Sequence, residues 1–336
     1  MNVHNANIIV MKYLKNFKNQ NILFSGNISK DFFLYFKLTN IRIHVQQDYH
    51  PMLLKILKKN NICFRIIPRK NFVLDCNILI FFWRKNKLES QFQIIYFLSV
   101  LKKDTEIFII GKTRSGVNCV KNFLKHWVDI KKIYYKNRYA LYYGKIIQNS
   151  IFIFKKYFKK YIWNNLIIYT LPGVFDYKRI DNGSILLIST FDTNLQGKIL
   201  DIGCGSGILS IALNKISDRT KITLIDNNST AILCSKINLR KNHVKAKIIL
   251  SNIYSDIQEK FNLIISNPST HSDIKNNFNV IKKIIQNSKK YLKKNGELRM
   301  VVHSHISCKK EFLSVFNHYK IIAKYRHFNV HQGILK

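Results

Sequence analysis

The sequence has few of the residues that mark fibrous, linker-rich or disulfide-bonded proteins. Four prolines and twelve glycines in 336 residues exclude collagen-like, proline-rich and glycine-linker chains. The six cysteines are scattered without a Cys-x-x-Cys pair, so we expect reduced thiols and no metal site. No apolar run reaches the ~18–20 residues that span a bilayer, and no signal-peptide core is visible near the start. These absences predict a cytoplasmic chain with no membrane partner.

Acidic residues are also scarce, since 18 Asp and Glu stand against 56 Lys and Arg, a net charge of +38. One interpretation is a polyanionic partner, most simply a nucleic acid. The other is drift in an AT-rich bacterial genome, because only eleven of the basic residues are Arg and forty-five are Lys. Both interpretations stay open, so the charge alone is weak support for nucleic-acid binding.

The second half of the chain alternates short apolar runs with amphipathic segments. The predicted strands are 198–203, 221–226, 246–251, 261–266, 296–303 and a terminal strand at 321–330. The predicted helices are 207–216, a stretch that ends near residue 239, 276–293 and 310–319. Alternation at this spacing is typical of a parallel sheet with helices on both faces.

The first half carries a fainter copy of the same order of elements. Its predicted strands are 21–26, 41–47, 61–68, one within 75–87, and 105–111, with helical stretches between the first strands and a helix at 88–103. The copy lacks a glycine-rich loop after its first strand, which indicates that it has lost its chemistry. We therefore predict two tandem Rossmann-like α/β domains, the first of them degenerate, over residues 1–150 and 166–336 with a linker at 151–165.

A glycine-rich loop follows the first strand of the second copy. The motif contains Asp201, Gly203, Gly205 and Gly207, directly before a predicted helix. Glycines at these positions let the backbone turn tightly and let a ligand approach the main chain. Asp226 ends the next strand, where an acidic side chain can accept hydrogen bonds from the hydroxyls of a ribose. This pattern leaves two cofactors open, NAD and S-adenosylmethionine.

The fourth strand of the second copy runs into Ser266, Asn267 and Pro268. The carboxyl ends of the strands of an open α/β sheet form the crevice where ligands bind. An Asn side-chain oxygen and a neighbouring carbonyl there can both accept hydrogen bonds from an exocyclic amine. That arrangement favours S-adenosylmethionine, because it aligns the amine for displacement of a methyl group from a sulfonium without a metal.

The segments DIGCGSGILSIA, ISNP and GELRMVV together resemble the class I S-adenosylmethionine-dependent methyltransferases. The run LPGVFDYKRIDNGSILLIST (171–190), with FWRKNKLESQFQ (82–93) and IFIIGKTRSGV (107–117), is more specific. It resembles the ribosomal RNA small subunit methyltransferase C family from about residue 20 to 334. The resemblance implies methylation of the N2 amine of one guanine in 16S rRNA by a monomer that acts on the small ribosomal subunit.

The resemblance also implies roles for single residues. It makes Asn267 and Pro268 the catalytic pair that presents carbonyl oxygens to the guanine amine. The residues implied to contact the cofactor are Asp201, Gly203, Gly205, Gly207, Asp226, Asn252, Phe175 and Gly183. Among these, Asp226 would hold the ribose and Asn252 would lie beside the adenine, while Phe175 and Gly183 belong to a segment that closes over the cofactor. The degenerate first domain would bind substrate or support the second, with no cofactor of its own.

The sequence departs from the family after Pro268, where the family has a second proline, an aromatic residue and then His. Here Ser269 and Thr270 precede His271, and Thr270 cannot stack on a base. Two alternatives stay open, the first favoured by this departure and by the net charge, the second because an Asn-Pro strand end can also serve other amines. One is a non-catalytic or decayed factor that binds rRNA or assists assembly. The other is a methyltransferase with a different amine acceptor, such as a base N6 amine or a glutamine amide.

Overall fold

The computed structural model describes residues 6, 9–10, 20–28, 40–45, 61–268 and 274–336. The chain divides into two compact units, Met1–Tyr157 and Phe158–Lys336. The helical stretches expected between the first strands lie outside the described residues. None of the helices in the described ranges is long and apolar enough to span a membrane.

The first unit is built on one seven-stranded sheet. Its strands are β1 Ile22–Gly26, β2 Ile41–Val45, β3 Ile62–Phe64, β4 Ile78–Phe82, β5 Glu106–Lys112, β6 Val128–Lys136 and β7 Tyr139–Ile146. The described helices are α1 Lys70–Val73, α2 Lys87–Val100 and α3 Val120–Leu124. Short 3₁₀ turns cover Thr113–Ser115, Val117–Cys119 and Phe154–Tyr157.

The second unit has a two-stranded hairpin and a second seven-stranded sheet. The hairpin is β8 Lys159–Trp163 with β9 Leu166–Thr170. The sheet strands are β10 Gly197–Ile202, β11 Thr220–Asp226, β12 Lys247–Leu250, β13 Phe261–Ser266, β14 Leu292–His303, β15 His318–Tyr325 and β16 Phe328–Ile334. The helices are α4 Asn182–Ile188, α5 Ile208–Ile216, α6 Ser229–Lys241, α7 Ile274–Tyr291 and α8 Lys309–Leu313.

The two sheets have the same strand order. The first reads β3-β2-β1-β4-β5-β7-β6 and the second reads β12-β11-β10-β13-β14-β16-β15. In each sheet the first five strands are parallel, and the last strand in sequence lies antiparallel between its two neighbours. This agreement confirms the prediction of two tandem Rossmann-like α/β domains.

The second sheet has helices on both faces because its strands are apolar on both faces. In β10 and β13 successive side chains are buried on opposite faces, Ile199 and Leu263 with one core and Leu200 and Ile264 with the other. A strand buried on both faces has a nearly continuous apolar sequence, and this pattern predicts both strands. The strand order reverses between β10 and β13, so the carboxyl ends of these two strands open a crevice.

Two predictions near the carboxyl terminus are wrong. The single strand expected at 321–330 is a hairpin of β15 and β16, with its turn at Arg326 in a left-handed conformation (φ 50°). The turn carries no glycine, proline or asparagine, so the sequence gives no turn signal there. The helix expected at 310–319 ends at Leu313, because the chain enters β15 at His318.

The segment expected as a linker, 151–165, is divided between the two units. The ring of Phe92 on α2 lies 5.5 Å from Phe152 and 4.9 Å from Tyr157, centroid to centroid. From Lys159 onward the segment is strand β8, paired with β9. Phe152 and Tyr157 thus pack in the first unit, whereas Tyr161 and Trp163 pack against the core of the second unit. The chain passes from one unit to the other between Tyr157 and Phe158.

Candidate active site

The glycine-rich loop connects β10 to α5 at the carboxyl edge of the second sheet. Gly203, Gly205 and Gly207 have φ angles of 72°, 56° and 81°, which L side chains rarely adopt. The loop is held to the neighbouring strand because the amides of Gly203 and Cys204 both donate to the carbonyl of Ile225, at 2.8 and 3.0 Å. The sequence therefore folds here into a tight turn whose main chain borders the crevice.

The surroundings of the three glycines differ. A Cβ at Gly203 would have no atom within 4 Å, so this position faces open space. A Cβ at Gly205 would lie 3.7 Å from the Cβ of Phe175. A Cβ at Gly207 would lie 3.1 Å from Ser235 Oγ, so Gly207 serves the close packing of α5 on α6. The loop thus leaves open space for a ligand at Gly203 and makes a close packing contact at Gly207.

Asp226 lies at the end of β11 beside this loop. Its Oδ2 accepts a hydrogen bond from the amide of Gly205 at 3.0 Å, and its Oδ1 accepts one from the amide of Asn228 at 2.8 Å. Burial raises the pKa of this carboxyl, while the main-chain amides oppose the shift. These bonds fix the carboxylate at the mouth of the crevice, with lone pairs left to accept further hydrogen bonds.

Asp201 is more deeply placed than the sequence suggested. Its side chain is fully buried, and its Oδ2 accepts a hydrogen bond from Ser210 Oγ on α5 at 2.6 Å. Burial raises the pKa of Asp201 to about 7. The hydrogen bond from Ser210 lowers this pKa, and the charge of Asp226 raises it further. Its Oδ1 has no hydrogen-bond partner among the described residues. Asp201 therefore links the end of β10 to α5 and stabilises the glycine-rich loop between them.

Asn267 follows β13 at the same edge of the sheet. Ser266 Oγ donates to the carbonyl of Ile202 at 2.8 Å and so ties the end of β13 to the end of β10. The side-chain nitrogen of Asn267 donates to Asp181 Oδ2 at 3.1 Å and to Ser184 Oγ at 2.9 Å. Because both amide hydrogens are used, the side chain offers its Oδ1 as an acceptor.

The start of α4 holds the partners of Asn267. Asp181 caps this helix, since its Oδ2 accepts hydrogen bonds from the amides of Gly183 at 2.8 Å and Ser184 at 3.3 Å. Asp176 lies beside them in a left-handed conformation (φ 64°). Burial and the nearby charge of Asp181 raise the pKa of Asp176 to about 8, against hydrogen bonds from the Asp181 main chain and the Ser184 side chain.

The remaining residues expected at the cofactor take different positions. Phe175 borders Gly205, as described above. A Cβ at Gly183 would lie 3.2 Å from the ring of Phe328, so Gly183 lets the start of α4 pack closely on β16. Asn252 is exposed in the loop after β12, where its main-chain amide donates a hydrogen bond to Ser255 Oγ at 3.1 Å. Residues 269–271, where the sequence departs from the family, lie outside the described residues.

Sequence reasoning missed Asp176, Asp181 and Ser184. The signal was present, because Asp181 stands two and three residues before the amides it caps, at the start of an apolar helical run. Reading it as a helix cap would have placed α4. It would not have shown that the same carboxylate reaches Asn267, which is 86 residues away in the chain.

The site fits S-adenosylmethionine in the chemistry of its residues. The open position at Gly203 admits a ligand to the main chain, and the carboxylate of Asp226 can accept hydrogen bonds from ribose hydroxyls. Among the described residues, no group of three or more His, Cys, Asp and Glu could hold a metal ion. The donor set therefore suits an adenosyl group and an amine acceptor.

Comparisons with known proteins agree with this geometry. Residues 165–332 match the family "Methyltransferase small domain", and residues 8–161 match "Methyltransferase small domain N-terminal". The ribosomal RNA small subunit methyltransferase C of Buchnera aphidicola subsp. Schizaphis graminum is 43% identical over 98% of both chains. The chain belongs to the ribosomal RNA small subunit methyltransferase C family. The protein of that name from Escherichia coli is 32% identical over 98% of this chain and 96% of its own.

A solved structure extends the similarity at the level of the fold. The 16S rRNA N2 G1207 methyltransferase of T. thermophilus, in complex with AdoMet and guanosine, superposes with a TM-score of 0.82. The match covers 99% of this chain and 92% of that one at 13% identity. Members of the methyltransferase C family thus share the two-domain fold at low sequence identity.

Proposed function

We propose that the protein transfers a methyl group from S-adenosylmethionine to the N2 amine of a guanine in 16S rRNA. The observation that carries this proposal is the amide of Asn267, whose two hydrogens are both used within the protein at the crevice between β10 and β13. Its Oδ1 is left to accept a hydrogen bond from an exocyclic amine. Membership of the methyltransferase C family, whose named relatives are rRNA methyltransferases, supports the acceptor.

In this mechanism the protein positions the acceptor and the cofactor against each other. S-adenosylmethionine supplies an electrophilic methyl group on a sulfonium. Asn267 Oδ1 and the carbonyl of Pro268 would accept hydrogen bonds from the guanine N2 amine and orient its lone pair toward that methyl group. The new N–C bond would form as the bond from the methyl carbon to sulfur breaks, and the amine would lose one proton to solvent. The cofactor-binding residues in this proposal are Asp201, Gly203, Gly205, Gly207, Asp226, Asn252, Phe175 and Gly183, with Asp201 and Gly183 acting through the backbone they support.

The proposal assigns different tasks to the two parts of the chain. Residues 166–336 carry the chemistry, and residues 1–150 bind rRNA or support the catalytic domain. The net charge of +38 supports an rRNA partner, because each phosphate neutralised by Lys or Arg releases counterions. We propose that the protein acts as a monomer in the cytoplasm on the small ribosomal subunit.

A second candidate is an rRNA-binding or assembly factor that has lost its activity. Ser269 and Thr270 favour it, because neither can stack on a flipped base. This candidate and the enzyme differ in cofactor affinity, since a pure binding protein has no need for S-adenosylmethionine. Calorimetry with S-adenosylmethionine separates them, and mass mapping of 16S rRNA nucleotides with and without the protein identifies the methylated position.

Substitution of Asn267 tests the chemistry. We expect Asn267→Ala to bind S-adenosylmethionine with nearly the parental affinity, because the glycine loop and Asp226 are untouched. We expect methyl transfer to fall by about 10²-fold or more, because the acceptor amine loses its alignment. Asp226→Ala is the matched control, and it should weaken cofactor binding first. Parental methylation by Asn267→Ala would show that the assigned chemistry is wrong, and an inactive parent would favour the decayed factor.

A further inference from the structure

Asn267 is held by two side chains from a different part of the chain. Its Nδ2 donates to Asp181 Oδ2 at 3.1 Å and to Ser184 Oγ at 2.9 Å, both at the start of α4. We infer that Asp181 and Ser184 are positioning residues that lock the Asn267 amide with Oδ1 toward the acceptor amine. This inference rests on the proposed function for its catalytic consequence, while the lock itself is a property of the chain.

Chemistry excludes the opposite orientation of the amide. A rotation by 180° would place Asn267 Oδ1 against the carboxylate of Asp181, so that two acceptors would face each other without a hydrogen between them. Two hydrogen bonds from one –NH₂ group fix both the plane of the amide and the direction in which its Oδ1 points. A single bond would leave the amide free to tilt about that bond.

The partners of Asn267 are themselves held in place. Asp181 Oδ2 accepts from the main-chain amides of Gly183 and Ser184, so the carboxylate cannot swing away without uncapping α4. Ser184 is 2% exposed, and its main-chain amide donates to Asp181 Oδ2 at 3.3 Å. The start of α4 therefore holds both acceptors of the Asn267 side-chain amide in fixed positions.

Through these hydrogen bonds, the start of α4 fixes the orientation of Asn267 at the end of β13. Residues that hold a reacting group must themselves be fixed by packing and hydrogen bonds, because a displacement of about 1 Å can cost ~10²-fold in rate. Among the described residues, the hydrogen bonds of the Asp181 and Ser184 side chains end on the start of α4 and on Asn267, and none ends on the glycine-rich loop. Their loss should therefore lower the rate of methyl transfer and leave cofactor affinity in place.

Paired substitutions separate positioning from helix capping. Asp181→Ser keeps a good helix cap but is too short to bridge to Asn267, whereas Asp181→Asn keeps both the cap and an acceptor oxygen at the same reach. Ser184→Ala removes the second acceptor. Ser189→Ala is its control, because Ser189 Oγ bonds the Leu186 carbonyl at the other end of α4.

The first measurement is methyl transfer to 16S rRNA at saturating cofactor. We expect kcat to fall about 10-fold or more in Asp181→Ser and Ser184→Ala, with KM for the rRNA and Kd for S-adenosylmethionine within about twofold of the parent. Asp181→Asn and Ser189→Ala should stay close to the parent. Equal kcat in all four variants, or a parallel loss of cofactor binding, would overturn the inference.

The second measurement needs no activity. In protein labelled with ¹⁵N-asparagine, the side-chain signals of Asn267 are assigned by their loss in Asn267→Ala. We expect their hydrogens to exchange with solvent at least tenfold faster in Asp181→Ser and Ser184→Ala than in the parent, Asp181→Asn or Ser189→Ala. Unchanged exchange would overturn the lock. If the parent does not methylate rRNA, the proposed function fails, and this exchange experiment alone decides whether the lock exists.

Discussion

Gly203 and Gly207 lie in one loop with similar backbone angles and different surroundings. Both have positive φ, so alanine at either position costs about 1–2 kcal/mol of backbone strain. Only Gly207 adds a close contact, with Ser235 Oγ at 3.1 Å from the new Cβ. We therefore expect Gly207→Ala to lower the free energy of unfolding more than Gly203→Ala, as measured by urea denaturation.

The same pair should rank in the opposite order for cofactor binding. Gly203 faces open space, so a methyl group there occupies room that a ligand would use. Calorimetry on the folded variants should give the larger loss of S-adenosylmethionine affinity for Gly203→Ala. If Gly203→Ala and the parent bind S-adenosylmethionine with equal affinity, the cofactor does not contact the main chain at Gly203.

Asp176 gives the stability of the protein a dependence on pH. Burial and Asp181 raise its pKa from 3.8 to about 8, so the folded state binds this proton more tightly than the unfolded state. The corresponding stability is fully present below about pH 4 and is lost as the pH rises through about 8. We expect Asp176→Asn to flatten the fall in stability over that interval, as measured by the melting temperature at successive pH values.

Asparagine is a suitable replacement because it tolerates the left-handed backbone at this position (φ 64°). Asp201→Asn provides a comparison, since its pKa is raised to about 7 and its interval should end nearer that value. If Asp176→Asn leaves the pH dependence of the parent unchanged, the proton held at Asp176 is not the source of the slope.

At the scale of elements, the sequence predicted those strands that are buried on both faces. The runs that became β10, β11 and β13 are short and mainly apolar, and β11 and β13 end at the polar residues Asp226 and Ser266. The β15–β16 hairpin was missed because its turn uses Arg326 and His327 in place of glycine or asparagine. The lock on Asn267 could not be predicted, because it joins residues that are distant in sequence.

In the first unit a buried ion pair lies at the carboxyl ends of β1 and β4. Gly26 and Phe82 end β1 and β4, as Ile202 and Ser266 end β10 and β13 in the second unit. Arg84, two residues beyond β4, donates from Nη2 to the carbonyl of Gly26 at 3.0 Å. Its Nη1 lies 3.4 Å from Glu89 Oε1, with both side chains less than a tenth exposed.

We expect Arg84→Met to destabilise the protein by about 3–5 kcal/mol, because it leaves Glu89 buried without its partner. Burial already raises the pKa of Glu89, and Arg84 opposes that rise. The double variant Arg84→Met with Glu89→Gln should recover part of the loss, as measured in a double-mutant cycle by urea denaturation. Additive effects of the two substitutions would mean that the pair is not coupled.

For the whole molecule, the duplicated sheets raise the question of how many cofactors one chain binds. Both sheets reverse their order at equivalent strands, so both have the topology of a binding crevice. In the second unit that place holds a glycine with open space in front of it. In the first unit it holds the guanidinium of Arg84, and a Cβ at Gly26 would lie 2.0 Å from the carbonyl oxygen of Phe82.

We therefore expect one S-adenosylmethionine per chain in calorimetric titration of the full-length protein. Asp226→Ala should remove or weaken that single event, while Arg84→Met should leave its stoichiometry at one, because removing a side chain does not create a glycine loop in the first unit. A stoichiometry of two, or a binding event that survives in full in Asp226→Ala, would locate a cofactor site in the first unit. The first domain could then not be described as degenerate in cofactor binding.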